Sequence, residues 1–298
     1  MAVNYLQVFI NSILTGSIYA LVAIGLTLVY RILRFANFSH AELVAIGAYF
    51  GLFLNRVVGE NLLISMVGGF VVAGILGVAS EFLVFRPLRD KGGGRISLMV
   101  ASIGLGLVIR HSIQQIWGPR FAWYNLNTTR YTFTVFGSEI NITSLHLMII
   151  ATAVFLVTLT HLFLTRTKLG KAMRATSDDP TLAAACGINV NRILIWVWFL
   201  GAGLAGVGGV LRGADTRLVP QLGWEILLST FAVVILGGVG NFYGTILAAY
   251  ILGFAENVGV TVLAALSIST GYRPAIAFLV LIIVLLVKPT GIMGSEKE

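Results

Sequence analysis

Cysteine is almost missing from this chain. One residue, Cys186, stands among 298, which excludes an internal disulfide and any cysteine-only metal site. Charge is also scarce, at 11% Asp, Glu, Lys and Arg, against roughly 25% in soluble domains. No G-x-x-x-x-G-K-[ST] loop occurs, so the chain has no P-loop to cradle ATP. It contains neither a G-x-S-x-G elbow nor an H-E-x-x-H pair, and no His/Cys/Asp cluster has metal-ligand spacing. Paired Asn-Pro-Ala boxes are absent too. The acids stand near the ends of the apolar runs, which argues against a proton-coupled carrier with a mid-span relay. Neither an enzyme nor a cofactor is expected.

What fills the chain is apolar: 57% hydrophobic residues, well above the soluble average of roughly 45–50%. The expected class is an all-α polytopic membrane protein, folded as one transmembrane domain over 1–298. Apolar runs place spans near 7–30, 41–55, 62–85, 97–117, 145–165, 193–211, 225–239, 243–263 and 273–288. Two of them, 41–55 and 225–239, are too short for a hydrocarbon core of about 30 Å and read as half-helices or tilted segments. Nine segments are expected, with eight full crossings as the rival. The first span lacks a basic flank and a cleavage site, so it reads as retained.

The net charge of +8 comes from basic residues in short loops beside apolar runs, which suits topology and lipid headgroups rather than nucleic acid. Arg31 and Arg34, then Arg86, Arg89, Lys91 and Arg95, then Arg166, Lys168, Lys171 and Arg174, and finally Lys288 fall on one side if the N-terminus is outside. Arg56, Arg120, Arg130, Arg212, Arg217 and Arg273 are spread more thinly over the other. The expected orientation is therefore N-terminus outside and C-terminus cytoplasmic in a cell membrane. The outer loop 118–144 is rich in aromatic and β-branched residues. It reads as a small hairpin turning at Phe136-Gly137-Ser138-Glu139, with Trp117, Trp123, Tyr124 and Tyr131 as an interfacial belt or a docking surface.

The cytoplasmic loop 166–192 is the one folded polar island. Residues 167–176 form a helix with Lys168, Lys171 and Arg174 on one face. In the next helix Asp179 is the N-cap, Pro180 the first residue and Gly187 the C-terminal stop. So short a helix needs a surface to pack on. Its Ala/Leu face suits either the chain's own spans or a partner's groove.

Within the spans, Asn37, Phe38, Ser39, His40, Ala41 and Glu42 form the densest polar run. Either Asn37 or Ser39 simply caps the following helix, or the run is a broken-helix element lining a path or gate. The stretch 237–244 reads as a second break, and the Asn-Phe common to both hints at duplication. Arg110 is expected to pair with Glu256 or Glu225, or to snorkel outward. The glycine series at 201–209 reads as close helix packing.

Seven segments in order carry a family resemblance: GSIYALVAIGLTLVY (16–30), NFSHAELVAIGAY (37–49), FRPLR (85–89), ASIGLGLVIR (101–110), GKAMRATSDDPTLAAACGIN (170–189), AVVILGGVGNFYG (232–244) and KPTGIMG (288–294). The chain resembles the permease subunits of ATP-binding-cassette importers for branched-chain amino acids, in particular the shorter of the two paired permeases. The resemblance implies a second permease subunit (or a second copy of this chain), two cytoplasmic ATPase subunits and an external substrate-binding protein. It places the ATPase-coupling loop on Asp178, Asp179, Pro180, Leu182, Ala184, Gly187, Ile188 and Asn189, with Arg174 just before it. It also places a family element on Asn37 to Glu42, with Ala41 where relatives carry glycine and Tyr243 where many carry proline. The candidate path residues are Asn37, Ser39, His40, Glu42 and Asn241. A stand-alone channel or carrier for small neutral solutes such as urea or amides is the alternative.

Overall fold

A computed structural model describes residues 4–59, 61–135 and 138–294. Eleven helices account for most of them: α1 (Tyr5–Leu33), α2 (His40–Val58), α3 (Leu62–Asp90), α4 (Arg95–Trp117), α5 (Ser144–Arg166), α6 (Lys168–Asp178), α7 (Pro180–Ala185), α8 (Val190–Asp215), α9 (Leu222–Gly237), α10 (Phe242–Ala265) and α11 (Arg273–Val287). Each of the nine expected spans is a helix. Seven of the described helices are long and apolar enough to cross a bilayer, α11 being counted with the 3₁₀ turn Thr270–Tyr272 that leads into it. The two that fall short are α2, which carries His40, Glu42, Asn55 and Arg56, and the 16-residue α9.

Helices α1, α2, α3, α8 and α10 form the core, with the other spans packed around it. The glycine series of α8 is what lets them close up. A Cβ on Gly209 would overlap the Val44 carbonyl of α2, and one on Gly206 would overlap the Gly69 carbonyl of α3. Backbones meet there with nothing between them, which is how helices associate where lipid offers no hydrophobic drive.

Asn4 donates to the Glu139 carbonyl, and Asn141 and Gln7 exchange hydrogen bonds, so the chain start meets the hairpin. At the opposite end a cavity of about 830 Å³ is walled by Arg31, Arg34, Arg95, Ser177, Asn241 and Pro289. The ends of the described chain therefore lie on opposite faces of the bundle, which requires an odd number of passages and favours nine over eight. The C-terminal residues close this end, with Ile292 N donating to Leu236 O (2.7 Å) and Met293 N to Gly237 O (3.2 Å).

The hairpin pairs β1 (Arg130–Val135) with β2 (Ser138–Thr143), antiparallel, Val135 opposite Ser138. Phe136 and Gly137 of the expected turn lie outside the described residues, while Ser138 and Glu139 belong to β2. Trp123 and Tyr131 are exposed, as a belt requires. Tyr124 departs from it: its hydroxyl turns inward to donate to the Ala48 carbonyl at 2.5 Å, and burial pushes the phenol pKa up. A phenol needs a partner once buried, and a backbone carbonyl of α2 supplies one.

Gly209→Val should prevent the α2–α8 contact and destabilise the fold by about 1–3 kcal/mol, the range for overpacked cores. A lowered thermal midpoint of the detergent-solubilised protein would register it, and an unchanged midpoint would contradict this packing.

Candidate functional site

The polar run after α1 does not sit at a membrane surface. The ring of His40 reaches Val22 O, 3.0 Å from Nε2, well inside the 29-residue α1. Gly106, the middle residue of α4, faces the same run: a Cβ there would rest 3.5 Å from Glu42 Cγ and 3.6 Å from Ser39 Cα. Helix α2 therefore begins within the bundle, after the irregular segment 34–39 has turned back into it. Asn37, Ser39, His40 and Glu42 are all buried.

Irregular backbone at this depth must satisfy its own polar groups. Asn37 Oδ1 accepts from both Ser39 N (3.1 Å) and Ser39 Oγ (2.6 Å), and Phe38 N donates to Ser102 Oγ of α4 (3.0 Å). This settles the capping question differently from either expectation. Ser39 occupies the N-cap position without a side-chain bond to the helix, and Asn37 ties the loop to Ser39 instead of to the helix amides.

Helix α9 also starts inside the bundle. A Cβ on Gly223 would overlap the Ala41 carbonyl, so the first turns of α2 and α9 abut. From this junction α2 runs toward the hairpin end and α9 toward the opposite end, where Gly237 abuts Gly244. Two long helices, α1 and α8, thus each lead through six non-helical residues (34–39 and 216–221) into a short helix that begins at depth. The geometric counterpart of 34–42 is 216–225. The Asn-Phe echo at 241–242 is not a counterpart, because residues 238–241 are a surface turn between α9 and α10.

At the junction Arg110 forms an ion pair with Glu42, Arg110 Nε donating at 3.0 Å and Nη2 closer, both to Oε1. The guanidinium lies over the Trp224 ring of α9, 5.0 Å from its centroid. Arg110 therefore pairs with neither Glu256 nor Glu225 and does not snorkel. Glu256 instead accepts from Tyr19 (2.7 Å) and Ser229 (2.7 Å) and faces Arg273 Nε at 3.5 Å. Glu81 pairs with Arg89 and accepts from Trp198 Nε1 at 2.9 Å. Placing the acids near span ends was thus wrong for Glu42. A re-entrant loop carries it to mid-depth, although it stands next to a helix start in the sequence. Three buried side-chain atoms there have no hydrogen-bond partner: Asn37 Nδ2, His40 Nδ1 and Glu42 Oε2.

Asn241 is not part of this cluster. It caps α10 by accepting from Gly244 N (2.9 Å) and donates to Met293 O (2.7 Å) in the cavity beside Arg31.

The polar island folds as its caps demand. Asp179 Oδ1 accepts from Thr181 N (2.8 Å) and Leu182 N (3.0 Å), and Pro180 opens α7. Gly187 takes φ +83°, a left-handed conformation that lets Ile188 N reach Ala183 O at 3.0 Å. Asn189 then caps α8 by accepting from Arg192 N. Of α7 only Ala183 is buried; Pro180, Leu182 and Ala184 face outward, as do Arg174, Asp178, Asp179 and Gly187. The apolar face is therefore not spent on the chain's own spans. Helix α6 is fixed beneath it by Met173 and Ser177, the latter accepting from Arg31 Nε at 2.8 Å.

Residues 8–285 match the family described as branched-chain amino acid transport system / permease component. The chain belongs to this family. It is 32% identical to the high-affinity branched-chain amino acid transport system permease protein LivH of Salmonella typhimurium, over 98% of this chain and 96% of that protein. Identity to the corresponding permease protein BraD of Pseudomonas aeruginosa is also 32%, over 99% and 97%. Similarity to LivM of Escherichia coli is lower, 27% over 79% of this chain and 60% of LivM. These coverages fit the shorter kind of permease. No solved structure matches the chain.

Arg110→Met should leave Glu42 as an unpaired buried carboxylate and destabilise the protein by about 3–5 kcal/mol. Adding Glu42→Gln should restore much of that loss, which a double-mutant cycle on thermal unfolding would show; additive losses would contradict the pairing.

Proposed function

We propose that this chain is the membrane-spanning permease of an ATP-driven importer, moving branched-chain amino acids into the cell with ATP hydrolysis confined to partner subunits. Family membership supports the transport role. The single structural observation that carries the coupling is α7: capped at both ends, anchored from below and apolar on its exposed side. A helix of six residues does not hold itself in water, so its outward face fits the groove of a protein partner. That partner is an ATPase subunit, two of which serve a pair of permeases. The second permease is either a longer relative or another copy of this chain, and an external protein delivers the amino acid. A stand-alone channel is disfavoured because the relatives are named as components of transport systems.

The knob is wired to three spans. Helix α6 follows α5 after the single residue Thr167, α8 begins at the Asn189 cap, and Arg31 joins α1 to Ser177 and Asp178 (3.6 Å to the latter). Closure of the ATPases on ATP pushes α7, and α1, α5 and α8 shift together, switching access from one side to the other. The side holding Arg31, Arg34, Arg95 and the knob is cytoplasmic, by its excess of basic residues, which leaves the N-terminus outside. Asn37, Ser39, His40 and Glu42 line the path at depth, and Asn241 stands at its cytoplasmic mouth.

Gly187→Asp puts a charge beside the apolar docking face. Uptake by the assembled importer should fall by at least about tenfold, a loss of roughly 1.4 kcal/mol or more in coupling, while membrane insertion is kept. Normal uptake would contradict the role of the knob.

A further inference from the structure

The exposed faces of the spanning helices are not alike. Helix α3 presents Leu63, Val67, Val71 and Ile75 outward, and α11 presents Phe278, Leu279, Ile282 and Leu286. These are lipid-facing surfaces. Helix α4 exposes His111, Ser112 and Gln115 among the apolar Leu107, Val108 and Ile116, and the start of α9 exposes Gln221 and the charged Glu225 beside Trp224. The Glu225 carboxylate turned toward hydrocarbon would be costly, about 2.5–3.5 kcal/mol for a charge at mid-depth. The start of α9 therefore meets water or polar groups.

Beside it, the Glu42–Arg110 pair is unfinished. Both hydrogen bonds from Arg110 fall on Oε1, and Oε2 is buried without a donor. Trp224, about half exposed, covers the guanidinium from the open side. With Glu225 next to it, the group holds two carboxylates and one guanidinium, an arrangement short of one positive charge. A free donor of positive charge that also brings a carboxylate for Arg110 completes it.

We propose that Glu42, Arg110, Trp224 and Glu225 form a transit seat for the charged head of an α-amino acid. The ammonium bridges Glu42 Oε2 and Glu225, the carboxylate meets the Arg110 guanidinium, and the aliphatic side chain lies toward the apolar positions of α4 and the Phe38–Phe231 pair, whose rings are 5.1 Å apart. The seat recognises the zwitterion common to all neutral α-amino acids and leaves the choice among their side chains to other elements. Neutral solutes without an ammonium, such as urea, do not complete it. This inference rests on the reading of the chain as an importer permease.

The test uses the whole importer in proteoliposomes, measuring leucine uptake and ATP hydrolysis together. Glu225→Gln and Trp224→Ala should each lower uptake by at least about tenfold at limiting leucine, with basal hydrolysis and subunit composition unchanged. Glu225→Asp should recover most of the uptake, which a merely structural position would not show. Uptake at the wild-type level in both variants overturns the seat while leaving the importer reading intact. Loss of the second permease from the complex in Glu225→Gln also overturns it, assigning this face to subunit pairing. Failure of the wild-type complex to move any amino acid removes the importer reading itself, and the seat with it.

Discussion

Backbone polar groups inside a bilayer have no water to turn to, and two interruptions of helix at depth dominate what this chain can be. The first turns of α2 and α9 abut at Ala41 and Gly223. The elements around that junction answer most of its polar demand. Asn37 and Ser102 satisfy the loop amides, α4 brings Arg110 to Glu42, and Trp224 covers the guanidinium. A continuous pair of helices would have been easier to bury. In the proposed function the junction lines a path that needs polar groups at mid-depth, and helix starts supply them while leaving the rest of each helix apolar.

The proposed coupling knob and the proposed solute path lie at separate places in the chain. Helix α7 stands clear of the bundle with Leu182 outward, while Arg31 and Ser177 fasten the helix beneath it to α1. Since α1 also holds His40 through the Val22 carbonyl, one helix touches both the coupling knob and the junction. No long relay is required between them: α1 is a rigid rod about 43 Å long at 1.5 Å per residue. Close glycine contacts pack α8 directly against the backbones of α2 and α3. The Glu256–Arg273 pair joins α10 to α11, and Glu81, paired with Arg89 of its own helix, reaches α8 through Trp198.

Much of this was legible in the residues. Nine apolar runs became nine helices, and the Asp179, Pro180 and Gly187 signals fixed α7 because capping is local chemistry that short sequence carries. The two short runs also foretold their half-helix character. What failed was depth. Glu42 stands near a helix start, and sequence places helix starts at surfaces; only the return of 34–39 into the bundle shows otherwise. Arg110 was assigned to the wrong acids because partners 68 residues apart in the chain depend on how helices cross. The inverted pairing of 34–42 with 216–225 shares only an early arginine and a final glutamate, too little to betray it, whereas the Asn-Phe echo at 241–242 has the letters without the geometry. Trp224 escapes notice for the same reason, as it reads as the ordinary edge of an apolar run, and Glu225 stands out only as a candidate partner for Arg110.

The central claim is that the face built by α4 and the start of α9 is wet, not lipid-covered. Because Cys186 is the chain's one cysteine, Cys186→Ser gives a background in which single thiols can be placed at Glu225 and at Ile75 on the outward face of α3. In the assembled importer, a charged, membrane-impermeant thiol reagent should label the position-225 thiol at least about tenfold faster than that at 75, since only the ionised thiolate in contact with water reacts readily. Equal, slow labelling at both positions would place Glu225 against hydrocarbon and contradict the account.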